Sequence, residues 1–95
     1  MKDDIVSKIE ADFEDPQEVF ETLEALESMN RGPISDRMCR SIVFLVNGDR
    51  DKLHHYIDLA FLDPRDLLWQ AEYEDPEIKK YDFSKSFGEQ DQIQA

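Results

Sequence analysis

The sequence predicts an all-α fold, a compact bundle of about five short helices with a polar C-terminal tail. Three observations predict it. Apolar residues recur at spacings of three and four, the period of one helix face. Asp-Pro pairs stand at Asp15-Pro16, Asp63-Pro64 and Asp75-Pro76, where the carboxylate can accept bonds from free backbone amides and Pro is tolerated at the first helical position. No run alternates apolar and polar residues over a useful strand length.

Taken in order, Ile5, Ile9 and Phe13 share a face of a first helix from about Asp3 to Phe13. Pro16 opens a second helix to about Met29 with Val19, Phe20, Leu23 and Leu26 inward; Glu18 complements its dipole and approximates a capping box with Asp15. Asn30-Arg31-Gly32-Pro33 breaks the pattern. Ser35 then caps a third helix that runs to about Asn47 and is stopped by Gly48. Its apolar arc of Met38, Cys39, Ile42, Val43, Leu45 and Val46 is wider than a surface helix needs, which places it centrally. Asp49 caps a fourth helix to about Leu62, with Leu53, Tyr56, Ile57, Ala60 and Phe61 facing inward. Pro64 opens a fifth, ending near Glu74, with Leu67, Leu68 and Ala71 on one side and Trp69 and Tyr73 on the other. Asp75-Pro76 starts something short. The stretch from Ser84 to Ala95 is polar, with little to offset the entropy of ordering it. The expected organisation is one domain over 1–83 and a frayed tail over 84–95, consistent with a chain of 95 residues and 11.2 kDa that can enclose one modest core.

With 23 acidic and 11 basic residues the net charge is −12, so nucleic acid phosphates and anionic membrane surfaces repel the chain and neither is expected as a partner. No stretch approaches the apolar length of a membrane span, Met1-Lys2-Asp3-Asp4 does not lead into a signal segment, and Cys39 is alone, which together predict a cytoplasmic protein. The charge is uneven: residues 1–30 carry −8, 31–57 carry +2 and 58–95 carry −6. Arg31, Arg37, Arg40, Arg50 and Lys52 form the basic middle. Two readings are open: pairing with the acidic helices on either side, or a site for an acidic partner.

The sequence supplies no catalytic, cofactor or metal constellation. His54 and His55 are adjacent, so their side chains diverge by about 100° on a helix and cannot ligate one metal together. Asp51-x-x-His54 resembles half of a di-iron motif whose second copy is missing. Cys39 lies on the apolar arc, where burial makes a thiol inert. Glycines at 32, 48 and 88 form no phosphate loop. The turn Asn47-Gly48-Asp49 invites a helix-turn-helix reading, but the following helix offers Asp51, His55, Asp58 and Leu62 outward, no basic face for DNA.

Two surfaces carry functional alternatives. Glu18, Glu21, Glu24 and Glu27 recur every three residues, either as a solvated face or as an acidic surface that imitates nucleic acid and blocks a basic partner. Phe44 projects between Arg37 and Arg40, opposite the apolar arc, and Trp69 and Tyr73 form an i, i+4 pair beside Arg65. These six, Arg37, Arg40, Phe44, Arg65, Trp69 and Tyr73, are the candidate interaction surface, set against internal pairing of Arg37 and Arg40 with Asp66 or Glu72 and packing of Phe44 on Trp69 or the first helix.

The run Arg37-x-x-Arg40-x-Ile42, Gly48-Asp49, Leu53, Tyr56-Ile57, Ala60, Asp63-Pro64-Arg65-Asp66 and Ala71-Glu72-Tyr73 resembles a group of small, uncharacterised bacterial proteins. The resemblance implies a bacterial origin and a fold held together by the third, fourth and fifth helices; the acidic first two lie outside it, and it implies no activity. The expected function is a non-catalytic interaction or adaptor protein, bound to a protein partner or to a second copy of itself. The alternative is a small acidic inhibitor or nucleic acid mimic.

Overall fold

The computed structural model describes residues 2–29, 34–75 and 78–88 of the chain. Its helices are α1 (Asp3–Asp12), α2 (Pro16–Met29), α3 (Asp36–Val46), α4 (Leu53–Leu62, preceded by a 3-10 turn at Arg50–Lys52) and α5 (Pro64–Glu72). The fold is an all-α bundle with α3 at its centre, packed against α1, α4 and α5. Cys39, Ile42, Val43 and Val46 of α3 are buried against Ile5 and Ile9 of α1, Leu23 of α2, Leu53 of α4 and Leu67 of α5; Met38 and Leu45, at the edges of the expected arc, are half-buried.

The punctuation works as local chemistry requires. Ser35 Oγ accepts the Met38 N–H at 3.1 Å and starts α3. Asp63 ends α4 and, accepting the Asp66 N–H at 3.2 Å, starts α5, so the two helices share one residue and meet at a corner. Asp15 Oδ1 accepts the Glu18 N–H at 3.4 Å, the N-cap half of the expected capping box, while the Glu18 carboxylate lies 3.0 Å from Arg50 Nε.

The turn after α3 depends on glycine. Gly48 has φ +79°, and a Cβ built there would lie 2.7 Å from the backbone carbonyl oxygen of Asp12 at the end of α1. Gly48→Ala therefore meets both left-handed backbone strain and immovable backbone, and should cost about 1–3 kcal/mol in a urea unfolding experiment. An unchanged midpoint would show that α1 yields freely.

Two expectations are corrected. The third Asp-Pro pair starts no helix: Tyr73–Asp75 (β1) pairs antiparallel with Ile78–Lys79 (β2), Tyr73 opposite Lys79 and Asp75 opposite Ile78, with Pro76 and Glu77 outside the described residues. Tyr73 is already extended (φ −109°, ψ 132°), and the Glu72 carbonyl accepts the N–H groups of Lys80 at 2.7 Å and Tyr81 at 3.0 Å, which draws the returning chain onto the end of α5. The segment expected to fray from Ser84 is instead held to the bundle as far as Phe87. Phe83 is fully buried, Phe87 packs on the core, and residues 89–95 lie outside the described residues.

Candidate interaction surface

The two arginines one turn apart on α3 organise the end of the chain. Arg37 Nε donates to Glu72 Oε2 at 3.0 Å and its Nη2 donates to Oε1, a bidentate pair with a carboxylate whose side chain is fully buried. Arg40 Nε and Nη2 donate to the two oxygens of Asp4 at 2.8 and 3.0 Å, and its Nη1 donates to the Phe83 carbonyl at 3.0 Å. Each carboxylate also accepts one backbone N–H from the returning chain: Glu72 from Phe83 at 2.8 Å, Asp4 from Phe87 at 3.1 Å. Residues 80–88 are thus a strap, buckled at two points four residues apart. Under it lies an aromatic layer, with Phe44 4.9 Å from Tyr81 and 5.1 Å from Phe83, and Phe83 5.7 Å from Phe87.

The six sequence candidates therefore do not form one surface. Arg37 and Arg40 belong to these internal pairs, as does the 3.0 Å pair of Arg50 with Glu18, so three arginines of the basic middle are spent on the acidic flanks. Phe44 is covered by the strap rather than by Trp69 or α1. Tyr73 lies beyond the end of α5, in β1, and lines a shallow hollow of about 200 Å³ with Phe44, Gln70, Ala71, Lys80 and Tyr81. Of the six, Arg65 and Trp69 alone are exposed, both on α5.

One side chain expected inside, Phe61, is open instead, beside the outward Leu62. The buried stripe of α4, Leu53 and Ile57, continues one turn further to Phe61, which is 53% exposed, and Leu62 beside it is 79% exposed. Phe61 was expected inward; the stripe outruns the elements that cover it. Next to it a hollow of about 260 Å³ is lined by Leu26 of α2, Ile34, Ser35, Met38 of α3, Ala60, Phe61 and Pro64. The signal for this site was the length of the stripe, which carries one apolar turn more than the bundle can bury.

Elsewhere the chemistry is quiet. Burial, with Glu27 and Asp36 adding to it, pushes the Cys39 thiol up to about 12, so it stays protonated. A hollow of about 310 Å³ between α1 and α2 gathers Asp12, Glu14, Asp15, Glu18 and Arg50; Lys8 lies 3.1 Å from Asp12 and Arg50 pairs with Glu18. Among the described residues no three His, Cys, Asp or Glu side chains gather as a metal site would need, and no helix is long and apolar enough to cross a membrane. The molecule is an acidic helical bundle with an open apolar corner. Comparison with protein-family models, curated proteins and solved structures finds no match.

Proposed function

We propose that this protein is a non-catalytic interaction protein whose contact surface is the corner between α4 and α5. The observation that carries the reading is Phe61, a residue in register with the buried stripe of its own helix yet half exposed, flanked by exposed Leu62 and an open hollow. Apolar side chains placed in core register and left uncovered fit a surface that a partner completes.

The test is the Phe61→Ser, Leu62→Ser double variant. It should keep the parent's stability within about 1 kcal/mol, since both side chains already face water, and it should fail to retain proteins that the parent retains from a lysate of the source cell. An identical set of retained proteins would sink the reading. A second reading rests on the exposed Glu14, Asp15, Glu21 and Glu24 around α2, an acidic face suited to occupying a basic partner. There, partner loss would follow Glu21→Lys, Glu24→Lys and leave the corner variant unaffected.

A further inference from the structure

The first and last described stretches of the chain meet at one carboxylate. Asp4, in the first turn of α1, accepts two bonds from Arg40 of α3, at 2.8 and 3.0 Å, and the Phe87 N–H of the strap at 3.1 Å, across 83 residues of sequence. One turn further along α1, Lys8 Nζ stands 5.8 Å from the centre of the Phe87 ring. Arg40 closes the circuit, because its Nη1 donates to the Phe83 carbonyl inside the strap. Helix, central arginine and strap thus hold one another through atoms that they share.

That sharing decides how the two ends can open. The Arg40 side chain is 7% exposed, and polar groups parted from their partners while still shut away from water are costly. If α1 lifts alone, Asp4 leaves with it, and the Arg40 guanidinium and the Phe87 amide lose this acceptor beneath a closed strap. If the strap lifts alone beyond Phe83, Asp4 gives up the Phe87 N–H, and the Phe87 ring gives up its place on the core and beside Lys8. Lifting both admits water to all of these groups in one step. The rest of the bundle has its own fastening: α3, α4 and α5 pack mutually, Val19, Leu23 and Leu26 of α2 are buried in the core, and the Phe83 N–H is held by Glu72 of α5. Between α1 and α2, Glu14 and Asp15 are exposed and supply a joint.

We propose that α1 and residues 84–87 form a two-ended clasp: they come away from α3 together, as one opening unit, while α2 to α5 stay packed. Opening uncovers Arg40 and the apolar surface of α3 that Ile5 and Ile9 cover. The clasp is independent of the corner between α4 and α5.

The test is amide hydrogen exchange of the full chain, followed by NMR under conditions where each rate reports its opening equilibrium. In the parent, Ile9 of α1, Phe13 at its end and Phe87 of the strap should share one protection factor, at least about tenfold below that of Val43 in α3. Ser7→Gly, Ala11→Gly weakens α1 at two exposed positions that make no bond to the described strap. It should speed exchange at Ile9 by about fivefold, and at Phe87 by the same factor. In the other direction, Phe87→Ala removes only the ring and should speed Ile9 and Phe13, at the far end of the sequence, by at least about threefold. Exchange at Phe87 unmoved by the first variant, or at Ile9 unmoved by the second, would mean that the two ends open separately and would overturn the clasp. Protection at Ile9 and Phe87 equal to that at Val43 would overturn it as well, since the bundle would then open only as a whole.

Discussion

Replacing Glu72 by alanine is expected to destabilise the protein by about 3–5 kcal/mol in urea unfolding followed by circular dichroism at neutral pH. The side chain is fully buried and accepts both Arg37 bonds and the Phe83 N–H, with Lys79 Nζ 3.9 Å away. Alanine leaves a buried amide without its acceptor and a guanidinium without its partner; charge-assisted bonds of this kind contribute about 1.5–3 kcal/mol each. For a chain of this length, total stability of about 5–14 kcal/mol makes such a loss a large fraction. Arg37 is 40% exposed and can rehydrate, while Glu72 cannot. Arg37→Met should therefore also be costly, because it strands a carboxylate. The double variant Arg37→Met, Glu72→Met should recover part of the loss, since a buried ion pair is seldom better than well-packed apolar groups. A cost below about 1 kcal/mol for Glu72→Ala would mean that the buckle at Phe83 contributes little to folding.

The helices and the central place of α3 were legible because they depend on local rules, apolar period and capping, that neighbouring residues state directly. What failed depends on partners distant in sequence. The stripe on α4 reports which way Phe61 points, yet whether anything covers it is decided by where α2 ends and α3 begins. Trp69 and Tyr73 read as a helical pair only while α5 continues, and α5 stops at Glu72 because Tyr73 is extended and the returning backbone bonds to the Glu72 carbonyl. Arg37 and Arg40 stand visibly one turn apart, and Glu72 is a partner the charge pattern suggests; Asp4, 36 residues from Arg40, is not. The strap was missed by averaging. A polar stretch hides Phe87, and with Tyr81 and Phe83 just before it three aromatic rings fall within seven residues, each with far more to bury than the glycine and glutamines around it.

A chain ended at Ser86 is expected to melt roughly 10 °C or more below one ended at Gly88, which keeps every contact described for the strap. Two losses combine. The half-buried Phe87 ring, 5.7 Å from Phe83, contributes about 1–2 kcal/mol through burial. Its N–H, donated to Asp4 at 3.1 Å, contributes about 1.5–3 kcal/mol as a bond to a charged group. At about 4–8 °C per kcal/mol for a domain of this size the sum reaches the stated drop. Phe87→Ala separates the parts, losing the ring and keeping the amide. The same buckle sets an acid dependence. Arg40's hydrogen bonds, then the Phe87 amide, hold the Asp4 carboxyl below its ordinary 3.8 against the opposing effect of burial. Its contribution is complete above the unfolded value, and it is lost as pH falls from about 3.8 through the lower folded value. Protonation of other carboxylates relieves repulsion in a chain of net charge −12, so the measurable quantity is the difference between the parent and Asp4→Asn. That gap should be widest near neutral pH and close as pH falls from 3.8 through the lower folded value. Equal melting of the Ser86 and Gly88 chains, with a parent-to-variant gap independent of pH, would show that the strap rests on the bundle without being fastened to it.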